Sequence, residues 1–90
     1  MPYAWRNDTI RMYHFKFYMN TQIINGHKIT VEEGAEKGYE YMKFDLQMNE
    51  SEVFFREAKR MGKADFEDDQ ERNFSLKYSS NGTYTLSRRP

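Results

Sequence analysis

The chain reads as an α+β domain: a four-stranded antiparallel sheet built from two hairpins, with two helices on one face, in the order ββααββ. Three features predict this. Asn25-Gly26 and Ser80-Asn81-Gly82 each lie between runs of alternating apolar and polar residues, the signature of a hairpin turn. Between the hairpins, apolar residues recur at steps of three and four, the spacing of a helix face. Strands at both ends and helices in the middle give an α+β order of elements.

Ninety residues form one domain, 1–90, with 1–9 as a flexible arm and 87–90 as a basic tail. Phe and Tyr contribute seven residues each and Met six, so the core must be made largely of rings and thioethers. With that many Tyr, some phenol groups must reach water or a partner. The absence of Cys excludes disulfides and thiolate chemistry. No long apolar run and no apolar N-terminal segment occur, so no membrane association is expected and a cytoplasmic setting is the default.

A formal charge of zero conceals a strong asymmetry. Residues 1–30 carry four basic and one acidic side chain, a net of +3. Residues 31–71 carry six basic and thirteen acidic, a net of −7, and residues 72–90 carry four basic and none acidic. Basic ends therefore flank an acidic middle, and this is the main functional clue in the sequence.

Taken in order, Met12 to Met19 alternates, with Tyr13, Phe15, Phe17 and Met19 on one face and Met12, His14, Lys16 and Tyr18 on the other. Asn25-Gly26 then reverses the chain into a short strand, His27-Lys28-Ile29. Thr30-Val31-Glu32-Glu33 has the form of a capping box. It predicts a helix whose stripe is Val31, Ala35, Tyr39, Met42 and Leu46. A second helix follows, capped by Asn49 or Ser51 and ended by Gly62, with Val53, Phe54, Ala58 and Met61 inward and Phe55 on the flank. Lys63 to Arg72 reads as a solvated acidic linker pinned by Phe66. In the last hairpin a three-residue Ser80-Asn81-Gly82 loop pairs Tyr78 with Tyr84 and Leu76 with Leu86, which keeps the apolar residues on one face.

Read as a strand instead, residues 37–44 (Lys-Gly-Tyr-Glu-Tyr-Met-Lys-Phe) resemble the RNP1 octamer of RNA recognition motifs, whose aromatics stack on bases. That resemblance implies an RNA-binding sheet. Glu40 stands where the pattern has Gly or Ala, and a carboxylate there repels phosphate. The helix reading is the one adopted.

Catalytic signatures are missing: there is no HExxH, GxSxG, phosphate loop or dinucleotide fingerprint. His14 and His27 have no sequence-local carboxylate and read as lone surface residues. The acidic run 65–71 lacks EF-hand spacing, so neither a metal nor a cofactor is expected. Two functional classes fit. The first is a small non-enzymatic protein-binding modulator, of the phage accessory or inhibitor type. It would set an acidic helical face (Glu32, Glu36, Glu40, Glu50, Glu57, Asp68, Asp69) against a basic partner protein. The alternative is a nucleic-acid-binding module whose basic, aromatic sheet face uses His14, Lys16, Tyr18, Lys28, Lys77 and Arg88. A homodimer through the strand Ile10–Met19 is compatible with either.

Overall fold

A computed structural model of the protein describes residues 20–90. The predicted strand over Met12–Met19 and the arm over 1–9 lie outside the described residues. Seven elements follow in order: β1 (Asn20–Ile24), β2 (His27–Val31), α1 (Glu36–Glu40, continuing as a π-helical turn, Tyr41–Asp45), α2 (Met48–Met61), β3 (Lys63–Glu67), β4 (Asn73–Tyr78) and β5 (Tyr84–Arg89). The strands make one five-stranded sheet in the order β1-β2-β5-β4-β3, and the helices pack on one of its faces.

Both predicted hairpin turns form, the second in the predicted register. Asn25 (φ 52°) and Gly26 (φ 83°) take the two left-handed positions that a two-residue turn requires, so Ile24 faces His27. At the other end Tyr78 pairs with Tyr84 and Leu76 with Leu86. The loop between them closes through Ser79 N donating to Thr83 O (2.9 Å) and Gly82 N donating to Ser79 O (2.9 Å).

The sheet is not the purely antiparallel, four-stranded one expected. β2 and β5 lie side by side in parallel, Ile29 opposite Tyr84 and Val31 opposite Leu86, so the two hairpins join into a mixed sheet. The fifth strand is β3, in the segment read as a solvated linker. Ala64 and Phe66 turn into the core while Lys63, Asp65 and Glu67 turn out. Charged outward residues on a short edge strand are a usual protection against edge-to-edge pairing, which is why the segment looks like a linker.

The helical layer also departs from expectation at its start. Thr30 and Val31 belong to β2, where Thr30 is paired on both sides, with Thr21 and with Thr85. Sheet pairing and full burial of Val31 override the local capping pattern, and α1 begins at Glu36. Residues 39–48 are helical or connecting, not a strand, so the RNP1-like octamer 37–44 lies on α1 and its π turn and offers no base-stacking sheet surface. In α2, Gln47 and Glu50 form the capping box, and Gly62 ends the helix at φ 94°. Its buried face is Ser51, Phe55 and Ala58; Val53 and Met61 are exposed. The apolar face is thus rotated by about one residue from the predicted one, because Phe55 turns under the sheet, where it stacks on His27 and meets Tyr84 edge-on.

Helix and sheet approach most closely at Gly38. A Cβ there would lie 2.7 Å from Cδ1 and 2.8 Å from Cγ of Phe74, a side chain with no exposed surface. Alanine should improve helix propensity by about 1 kcal/mol, but overpacking costs about 1–3 kcal/mol. Gly38→Ala is therefore expected to lower the melting temperature, and to lower it less in a Phe74→Leu background. A variant that melts above the wild type would show that this contact is not tight.

Candidate functional site

One recess lies between the second half of α1 and the loop joining β3 to β4. It encloses about 360 Å³ and is lined by Lys37, Glu40, Tyr41, Phe44, Asp45, Asp68, Asp69, Gln70 and Arg72. The π turn shapes one wall. Leu46 N donates to Tyr41 O across five residues (3.0 Å), which buries Met42 and leaves Phe44 71% exposed. Such wide turns are rare and are frequent at functional positions. The Phe44 ring meets the Tyr39 ring edge-on, with centroids 6.3 Å apart.

Asp68 builds the other wall. Its Oδ1 accepts from the backbone N–H groups of Gln70 and Arg72 (2.9 Å each), and its Oδ2 accepts from Arg72 Nε at 2.6 Å. Backbone bonds from Asp68 N to Arg72 O and from Glu71 N to Asp68 O close the loop, with Glu71 at φ 63°. An Asp bonding the backbone two and four residues ahead is a normal turn device. Burial works against the ionised carboxyl of Asp68. The hydrogen bonds from Arg72 and Gln70 and the guanidinium charge outweigh it, and hold the group below its usual range.

Negative charge converges on Tyr41. Burial first, and then the carboxylates of Asp69, Glu50, Asp45 and Asp68, push its phenol above the ordinary value. The ring itself stacks on Phe66 at 6.2 Å. Lys37 pairs with Glu40 (3.4 Å) and Arg72 with Asp68 (2.6 Å). Asp45 and Asp69 have no cation within ion-pairing distance among the described residues.

The seven predicted acidic residues are therefore only partly brought together. Glu40, Asp68 and Asp69 line the recess, and Glu50 lies close enough to act on Tyr41 while its carboxylate accepts from Gln47 N at 2.7 Å. Glu32 and Glu36 flank the start of α1, where Glu36 accepts from Gly34 N at 3.1 Å. Glu57 stands on the outer side of α2 beside Arg56, Lys59 and Arg60, so that surface is mixed in sign. Asp45 and the exposed Phe44 were missed by sequence reasoning. Their signal was the ambiguity of residues 39–48 itself, an apolar pattern that fits neither period cleanly.

The residues of the nucleic-acid alternative are scattered. His14, Lys16 and Tyr18 lie outside the described residues. Lys28 and Lys77 are on the helix-free face of the sheet, joined there by Lys63 and Arg89. Arg88 is on the other face, with its guanidinium 5.6 Å from the centre of the Phe74 ring. Among the described residues the helix-free face carries no aromatic side chain.

His27 is not a lone surface residue. Its Nε2 lies 2.9 and 3.1 Å from the two carboxylate oxygens of Glu52, and its ring stacks on Phe55 with centroids 4.2 Å apart. Asn25 Nδ2 donates to Met48 O, Ser51 Oγ and Glu52 Oε1, so the first hairpin is tied to α2 twice over. The partner carboxylate is 25 residues away in sequence, which hides the pair from local inspection.

Among the described residues no cluster of three His, Asp or Glu side chains is arranged to hold a metal ion, and no helix is long and apolar enough to cross a membrane. No protein-family model, curated protein or solved structure matches the chain.

Proposed function

We propose that this chain is a small, non-enzymatic protein-binding modulator of the accessory or inhibitor type, which docks the recess between α1 and the β3–β4 loop onto a basic surface of a partner protein. One observation carries the reading. An aromatic side chain 71% exposed, Phe44, stands beside the phenol of Tyr41 and the carboxylates of Asp45 and Asp69, which no cation pairs among the described residues. Large exposed aromatics are costly to leave in water and are the usual anchors of interfaces, while surrounding charge sets orientation and on-rate. Asp68 contributes by shaping the loop and not by contact, since only 7% of it is exposed.

The experiment is a pull-down from native cells followed by titration of the captured partner. Phe44→Ala is expected to weaken binding about 30-fold, the effect of losing roughly 2 kcal/mol at an anchor. Asp45→Lys with Asp69→Lys should abolish capture, whereas Glu57→Lys, on the mixed outer surface of α2, should leave it unchanged. An identical partner list for wild type and the Asp45/Asp69 double variant would reject the proposal.

A further inference from the structure

A second recess lies on the far side of α2 from the acidic one and shares no residue with it. It is bounded by β2, α2, β5 and the turn before β5, and holds about 270 Å³. Glu52, Arg56 and Lys59 fall at i, i+4 and i+7 on α2, so one stripe of the helix forms its wall. In an isolated helix Glu52 would pair with Arg56 at that spacing. Here Glu52 is engaged by His27 and Asn25 instead, and neither Arg56 nor Lys59 has a carboxylate within 4.0 Å among the described residues.

The floor is Tyr84. Its residue is 3% exposed, yet its hydroxyl has no hydrogen-bond partner among the described residues. Burial, then Tyr78 and Glu52, hold its proton more tightly than usual, so the phenol is a donor at neutral pH. A buried hydroxyl that no protein group among the described residues satisfies is destabilising, and such groups are commonly met by a bound partner that is not protein. The recess thus presents donors from Arg56, Lys59, Tyr78 and Tyr84. Its single carboxylate is already occupied.

We propose that this recess binds a phosphoryl group. A terminal phosphate brings three acceptor oxygens and up to about two negative charges to the two cations and two phenols that line the recess, more of both than a carboxylate, and it takes the planar fork of Arg56. The stacked rings of His27 and Phe55 line one side of the recess. The site is independent of the partner-binding recess, so the failure of one leaves the other standing.

The test is a titration of the full chain with inorganic phosphate, followed by amide chemical shifts, with sodium acetate and sodium chloride at matched ionic strength as the other arms. Phosphate is expected to give a saturable shift at Phe55, Arg56, Gly82 and Tyr84. Arg56→Gln should weaken it at least tenfold, and Tyr84→Phe severalfold with an unchanged circular dichroism spectrum. Lys59→Gln, an exposed helix substitution, keeps the test open should Tyr84→Phe fold poorly, and should also weaken binding severalfold. Shifts reproduced by acetate or chloride, no saturable shift in wild type, or equal affinity in Arg56→Gln would overturn the assignment.

Discussion

Replacing Phe74 by Ala is expected to lower the unfolding free energy by about 3–5 kcal/mol, the range for deleting a buried ring. This chain holds roughly 5–13 kcal/mol if it follows the usual scaling with length, so the variant should be close to unfolding at physiological temperature. The size of the effect follows from position. Phe74 has no exposed surface, stacks on Phe66 with centroids 5.5 Å apart, lies under the Arg88 guanidinium and fills the groove left by Gly38. Phe66 in turn stacks on Phe54 at 4.7 Å and on Tyr41 at 6.2 Å, so the ring cluster links β4 and β3 to both helices. Gly38 cannot fill the void, because it has no side chain to extend into it. Urea denaturation read by circular dichroism measures the loss. A loss under 1 kcal/mol would mean that the helical layer collapses onto the sheet without this ring.

What sequence revealed and what it hid divide along the range of the interactions. Asn25-Gly26 and the Ser80-Asn81-Gly82 loop encode their own geometry, and their flanking alternation fixes the register, so both hairpins were readable residue by residue. Gly62 likewise marks the end of α2 by itself. Thr30-Val31-Glu32-Glu33 misled because a cap acts over one turn, while β2 is held by two neighbouring strands. The parallel contact of β2 with β5 joins residues about 55 apart (Ile29 with Tyr84) and leaves no local trace. β3 did leave one, the alternation of Lys63, Ala64, Asp65, Phe66 and Glu67. Its charge density masked it.

The candidate sites follow the same division. Net charge located an acidic middle but not which carboxylates are free. Asp68 is consumed by its own loop, Glu50 by a helix cap and Glu40 by Lys37, whereas Asp45 and Asp69 have no such partner among the described residues. The phosphoryl recess was invisible for a simple reason. Glu52 and Arg56 have the spacing of an ordinary helix ion pair, and only the fold shows that His27 has taken the carboxylate away.

Asp68 supplies the second large effect, and it should appear as a pH dependence. Its carboxyl is held below the usual range in the folded chain, so its ionised form is favoured by folding. A group lowered in this way stabilises fully above its unfolded value, near 3.9, and that contribution disappears as pH falls through the folded value. Asp68→Ala removes three hydrogen bonds and leaves Arg72, with 31% of its side chain exposed, without its partner. Breaking a buried pair costs about 3–5 kcal/mol, and the lower end is expected because the guanidinium still reaches water. Asp68→Asn keeps an acceptor for the two backbone N–H groups but puts an NH2 where Oδ2 accepts from Arg72 Nε, so it removes the charge and one hydrogen bond and should cost less than Asp68→Ala at pH 7. Between about pH 4 and the folded value the wild type should lose stability faster than Asp68→Asn. The gap between them should close in acid. Asp65, lowered by its hydrogen bond from Ser75 and by Arg89, titrates in both proteins and cancels in the comparison. Urea midpoints of the two proteins at a series of pH values measure the difference. A gap independent of pH would show that Asp68 acts through its shape and hydrogen bonds alone, with no contribution from its charge.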